Sequence, residues 1–218
     1  MLGCAHCCDI SPYNQNKTGY NGYHELAYLH PNHFKPNTTE IAHLLENNPN
    51  YFIIRLAELT AHHDKGKKGV NTEVAQKLIE ILSPFGRVYI TSERNLEPEL
   101  EQFRILIDPR QMHNALYFAT MYIGDSQTMA AEAAVLGTPS IRYNDFVGKL
   151  SYLEELEHEY QLTFGISTGQ QELLYSKVKE LLQTKNLKQE FEKRRKVMLS
   201  KTEDVASIWM NYFIENCK

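Results

Sequence analysis

The sequence has no surplus of basic charge. Over 218 residues, 23 Lys+Arg stand against 27 Asp+Glu, with nine His and a formal charge of −4. No polybasic run marks either end, so the electrostatic footprint of a nucleic-acid binder is missing and no nucleic-acid partner is expected. No apolar stretch approaches the length needed to cross a bilayer, so no membrane span is expected. The opening Met1-Leu2-Gly3-Cys4 has neither a basic n-region nor an apolar h-region. That argues against a secretory signal and for a cytoplasmic protein. Both the dinucleotide fingerprint GxGxxG and the P-loop are absent, which excludes the usual NAD and ATP-hydrolysing sites.

Cysteine is scarce and unevenly placed. Cys4, Cys7 and Cys8 crowd the start, and Cys217 stands alone. A Cys-x-x-Cys with an adjacent His can hold half a tetrahedral zinc site. No second pair of ligands follows at metal-binding spacing, so no metal is expected. The plainer reading is a reduced, poorly ordered tail in a reducing compartment.

What is present is a chain with 42% hydrophobic residues, enough for a folded core. Residues 1–37 show neither helical nor strand period and read as an irregular N-terminal segment. Within it, 20–31 is aromatic and polar together, as in a surface element that packs against something. The rest, 38–218, reads as one domain of short apolar strands alternating with helices. A short helix is expected over 38–47 with Thr38 as cap, then a strand over 51–55. A helix follows over 71–82, with Asn71 as N-cap. Strands at 87–91 and 104–107 precede a helix at 109–120. A strand at 121–124 leads into a helix at 126–136, closed by Gly137 as C′ residue. A strand at 140–143, a helix at 149–160 and a strand at 162–165 come next, and 168–217 is helical throughout. The pattern predicts an α/β, doubly wound, Rossmann-like, mostly parallel sheet with C-terminal helices. Such sheets bind ligands beyond the carboxyl ends of their strands, at the switch point. Attention therefore falls on the residues after Arg55, Thr91 and Gly124.

The most informative stretch is 122–141. A strand ends at Gly124, a tight turn carries Asp125, and a helix starts at Ser126. Free N–H groups and the partial positive charge of a helix start suit a phosphate. Ser126, Gln127 and Thr128 lie at that start. Glu132 follows four residues after Thr128, one turn deeper on the same face, where a carboxylate can accept from a ribose diol. An ordinary capped helix with an exposed Glu would have the same sequence.

The run Asp125-Ser126…Glu132-Ala133…Leu136-Gly137…Pro139 resembles the nucleotide-sugar motif of UDP-N-acetylglucosamine 2-epimerases. More loosely, it is similar to nucleotide-sugar glycosyltransferases built from two Rossmann domains, the GT-B fold. An epimerase-like family linked to surface-polysaccharide synthesis looks nearest. The resemblance implies a UDP-sugar as ligand with no cofactor required. It also implies diphosphate contacts from Ser126, Gln127 and Thr128, and a ribose contact from Glu132. The epimerases have two glycines where this chain has Gln127 and Thr128. They also carry Thr-x-His-Arg after an earlier strand. Here Thr60-Ala61-His62 fits and His63 replaces the Arg.

Chemically, Arg55 at its strand end can clamp a phosphate bidentately. His62 or His63 can donate a proton or contact a phosphate near neutral pH. The same loop also reads as a solvated His and Lys segment. Ser92 and Glu93 follow another strand and can line the same crevice, as can His113 on the preceding helix, which suits packing equally. Arg142 is the best charged candidate for a sugar-side or lid loop after the strand at 140–143.

The resemblance spans about 20–218 and matches the C-terminal, nucleotide-binding half of a two-domain enzyme. It implies that catalysis needs a separate N-terminal Rossmann half, or that the chain is a non-catalytic nucleotide-sugar-binding, regulatory or interaction module. Val205, Ile208, Trp209, Tyr212 and Phe213 follow helical spacing. Their plainer use is docking on this domain's own core; exposed, they would drive self-association.

Overall fold

Tyr51-Phe-Ile-Ile and Tyr122-Ile are buried at every position, odd and even alike. A strand with both faces buried needs cover on both sides, and only a parallel sheet between helical layers provides it. The computed structural model, which describes residues 2–8, 17–46, 48–58 and 69–216, shows that arrangement. In chain order the elements are β1 (Leu2–Ala5), β2 (Lys17–Tyr20), α1 (Leu26–Leu29), α2 (Ala42–Leu45), β3 (Tyr51–Leu56), α3 (Thr72–Leu82), β4 (Arg87–Ser92) and α4 (Pro98–Glu101). They continue as α5 (Met112–Phe118), β5 (Met121–Gly124), α6 (Gln127–Val135), β6 (Ser140–Tyr143), α7 (Ser151–His158), β7 (Thr163–Ile166), α8 (Gln171–Gln183), α9 (Leu187–Lys201) and α10 (Val205–Asn216).

Strands β3 to β7 form one parallel sheet in the order β4-β3-β5-β6-β7. The chain leaves β3 toward β4, then crosses back to place β5 on the other side of β3. The switch point therefore lies between the carboxyl ends of β3 and β5. No helix among the described residues is long and apolar enough to cross a membrane.

Local chemistry sets the helix ends. The Asn71 side chain accepts from the Val74 N–H at 2.8 Å, closing the start of α3. Ser126 caps α6 by accepting from the Met129 N–H at 3.4 Å. At its far end, Thr138 N–H donates to Ala133 O and Gly137 N–H to Ala134 O, both at 2.9 Å. Those two bonds, with Gly137 at φ +79°, make a Schellman motif. The buried alanines of α6 let it sit close enough for the Ser140 hydroxyl to reach Ala130 O at 2.9 Å.

Three expectations change. The 38–47 helix is a 3₁₀ turn (Thr39–Ile41) followed by the one-turn α2, and Thr38 makes no side-chain cap; Ile41, at φ −121°, breaks the continuity. The 104–107 run is not a strand. Only Arg104 forms a bridge, to Ile90 at the outer edge of β4, and Leu106 is 84% exposed. The segment before residue 38 is built into the fold. β1 and β2 pair in parallel, and Tyr23, Leu26 and Leu29 are fully buried in the core.

Helix α10 docks on that segment. Val205 is buried, and Trp209 meets the Tyr20 and His24 rings at 5.8 and 5.7 Å. Its later residues Met210, Phe213 and Ile214 are each more than half exposed.

At Gly137 an alanine would put a side chain at φ +79° and its Cβ 2.8 Å from Arg195 Cδ. Gly137→Ala is expected to cost about 1–3 kcal/mol in urea denaturation. A loss of only a few tenths would show that the α6–β6 turn tolerates a side chain.

Candidate functional site

The switch-point crevice begins with a glycine. Gly124 lies in register with Arg55 of β3 on one side and Arg142 of β6 on the other. A Cβ at Gly124 would stand 2.6 Å from the Tyr122 hydroxyl and 2.8 Å from Arg55 Cβ, so only glycine fits.

Asp125 follows and turns inward, 1% exposed. Its Oδ1 accepts from the Ala57 N–H at 2.7 Å, and its Oδ2 from the Val70 N–H at 3.1 Å. The Arg94 guanidinium stands 3.8 Å away, and Asn144 donates to the Asp125 carbonyl at 3.1 Å. The carboxylate thus fastens both ends of the β3–α3 loop and is no wall of an open pocket. Gly69 has no side chain because a Cβ there would lie 2.4 Å from Asp125 Oδ2. Burial pushes the Asp125 carboxyl up to about 6, against the pull of the Ala57 N–H and Arg94.

Arg55 donates to Glu93 Oε1, and the other Glu93 oxygen accepts from the Glu58 N–H at 3.2 Å. The structure thus brings Arg55 and Glu93 together at the crevice rim. Arg55 Nε is buried and has no partner among the described residues. The Ser92 hydroxyl shapes the adjoining turn, donating to Arg94 O at 2.8 Å and accepting from Arg94 N–H at 3.2 Å. At the start of α6, Gln127 reaches back to Asn144 Oδ1 at 3.2 Å, while Thr128 is exposed.

One turn deeper, Glu132 is buried. Its Oε1 accepts from the Tyr28 hydroxyl at 2.9 Å and lies 3.1 Å from His113 Nε2. The His113 ring packs on Tyr28 at 5.4 Å and on Phe34 at 6.2 Å. Glu25 lies close by, with a buried Oε2 that has no partner among the described residues. Burial, reinforced by the Glu132 charge, pushes its carboxyl up to about 7. The N-terminal segment therefore supplies the surroundings of Glu132.

Arg142 is a correction. It lies within β6, fully buried, and its Nη2 binds Glu157 and, at 3.4 Å, Glu154 of α7. Gly165 on β7 leaves room for it, since a Cβ there would meet Nη2 at 2.8 Å. Two carboxylates compensate one buried cation, and the side chain does not enter a lid loop. His62 and His63 lie outside the described residues. Sequence reasoning missed Tyr28, Glu25, Arg94 and Asn144. Only the aromatic character of 20–31 hinted at Tyr28, and the others carry no local signal.

No protein-family model matches the sequence, and no curated protein does. Among solved structures, CalG4, the calicheamicin glycosyltransferase, is 15% identical at a TM-score of 0.52, covering 85% of this chain and 45% of that one. The wall teichoic acid polymerase TagF is 15% identical at a TM-score of 0.49, covering 92% of this chain and 52% of that one. The glycotransferase of kitacinnamycin is 10% identical at 0.49, covering 75% and 43%. The chain spans about half the length of these structures. The likeness to CalG4 shows a GT-B-like, Rossmann-like fold.

The Glu25 shift has a testable sign. Its folded pKa lies above the unfolded value, so the native state holds a proton that the unfolded chain releases. That contribution is complete below pH about 4.5 and is lost as pH rises through about 7. Asp125 acts in the same direction, but only through about 6. Glu25→Gln is expected to flatten the loss of stability between pH about 6 and about 7, followed by urea denaturation across pH. A decline as steep as the parent's in that window would contradict the assignment.

Proposed function

We propose that the chain binds a nucleotide sugar, with a UDP-sugar as first choice. In this reading it is the nucleotide-binding half of a glycosyltransferase-like or epimerase-like protein of surface-polysaccharide synthesis. One observation carries the reading. The N-terminus of α6 opens at the switch point between β3 and β5, beside Arg55, where Gly124 contributes no side chain. Free N–H groups at a helix start and a neighbouring guanidinium are the chemistry that holds a diphosphate.

The diphosphate would lie on the Ser126, Gln127 and Thr128 backbone. Arg55 would turn from Glu93 toward it. The ribose diol would reach the Glu132 carboxylate, which Tyr28 and His113 hold in place. The sugar would extend toward the β3–α3 loop, where His62 or His63 would donate or accept a proton. No cofactor is needed for binding of this kind. Catalysis would require a second Rossmann half across the crevice, and the half-length match to the solved glycosyltransferases supports that need. The exposed apolar end of α10 offers a surface for such a half or for a second copy. A non-catalytic module is the second reading. Arg55 is already neutralised by Glu93, and the Glu132 carboxylate already has two partners, as in a pocket that binds without turnover.

Calorimetry with UDP, UDP-N-acetylglucosamine and other nucleotide sugars tests the proposal. Saturable binding is expected, weakened roughly tenfold or more in Arg55→Ala and in Glu132→Ala. Absence of binding by every nucleotide sugar, or both variants binding like the parent, would overturn it. Turnover when a candidate partner half is added would separate the enzyme reading from the module.

A further inference from the structure

The Cys4–Cys8 cluster lies outside the proposed nucleotide site, and the fold gives it Glu155 as a neighbour that the sequence could not. After β1 the chain turns through His6, Cys7 and Cys8 against α7. There His6 Nε2 stands 3.2 Å from Glu155 Oε2. The donor atoms of His6, Cys7 and Glu155 all lie within 4.8 Å of one another.

We propose that these three side chains form a zinc site that staples the β1–β2 ribbon to α7. An imidazole nitrogen, a thiolate and a carboxylate are a donor set of the kind zinc takes in tetrahedral geometry. Bonds of roughly 2.0–2.3 Å place tetrahedral donors roughly 3.3–3.8 Å apart. The present spacing closes to that with side-chain shifts on the order of an ångström.

The surroundings are organised for it. The Tyr23 hydroxyl donates to Glu155 Oε1 at 2.6 Å, which fixes the carboxylate and leaves Oε2 facing His6. Such outer partners orient metal ligands and raise affinity. The turn itself is fixed by the His6 N–H on Tyr20 O at 2.9 Å, by the Cys8 N–H on Ala5 O at 3.0 Å, and by Lys17 on the His6 and Cys8 carbonyls. Ligands from two distant parts of the chain make the ion a cross-link. His6 is exposed and Cys7 half-buried, so an ion can enter from solvent. The fourth position falls to water, and Cys7 is the one thiolate of the cluster. Binding replaces the thiol proton, which leaves to solvent. The site is independent of the nucleotide-sugar reading.

The test uses the full chain, purified under reducing conditions, stripped with a chelator and reloaded with zinc or cobalt(II). One equivalent of zinc by elemental mass spectrometry is expected, with a higher melting temperature. The cobalt form should show a thiolate-to-metal charge-transfer band. Cys7→Ser should abolish that band, and Glu155→Gln should weaken zinc binding at least about tenfold. Should either variant fail to fold, the cobalt spectrum of the parent still decides. Folded parent protein that takes up only trace zinc, a cobalt form without a thiolate band, or Cys7→Ser binding as tightly as the parent would each overturn the site.

Discussion

One buried carboxylate holds the crest of the sheet together. Where β3 ends and α3 begins, backbone N–H groups leave the sheet ladder and need acceptors, because a buried unpaired N–H is costly. Asp125 supplies both acceptors, one oxygen for Ala57 and one for Val70, and its carbonyl takes the Asn144 amide. Three loop origins thus meet on a single residue at the switch point. Gly69 follows from this arrangement, since a Cβ there would meet the Asp125 carboxylate, while Gly124 is set by the Tyr122 hydroxyl and Arg55 beside it. A carboxylate with two N–H donors and Arg94 nearby stays in place despite burial. Ala57 and Val70, where the described chain leaves β3 and enters α3, are thereby held on one residue.

Around this anchor the fold sorts its charges into two groups. At the rim, Arg55 pairs with Glu93, whose side chain is half exposed. In the interior, Arg142 faces Glu154 and Glu157, and Glu132 faces Tyr28 and His113. The interior pairs connect the sheet layer to helix α7 and to the N-terminal segment, so that segment belongs to the architecture of the Rossmann-like domain. Within the GT-B-like fold, the start of α6 lies at the carboxyl end of the sheet, capped by Ser126 and bonded through Gln127 to Asn144.

Much of the sheet was legible because its signals are local. Continuous apolar runs marked β3 and β5, Asn71 and Ser126 marked helix starts, and Gly137 marked a helix end. The switch point followed from strand alternation, and Asp125, Arg55 and Glu93 were singled out from their positions at strand ends. What escaped was decided by tertiary partners. The 104–107 run has strand composition but makes a single bridge, Arg104 to Ile90, and leaves Leu106 exposed. Arg142 lies inside the expected 140–143 strand, and its reading as a lid-loop cation fails because its partners Glu154 and Glu157 stand on α7. Tyr28 reaches Glu132 across a separation that no spacing rule covers, and Glu155 approaches Cys7 in the same way. The irregular composition of 1–37 concealed β1, β2 and α1, whose order comes from packing on α7 and α10 rather than from period.

The central claim is that the start of α6, framed by Arg55 and anchored through Asp125, receives the diphosphate of a nucleotide sugar. A crystal structure of the chain with UDP-N-acetylglucosamine tests this most directly. The account predicts diphosphate oxygens on the backbone N–H groups of 126–128 with Arg55 turned toward them, and the ribose beside Glu132. A nucleotide bound elsewhere, with the helix start bare at saturating ligand, would contradict it.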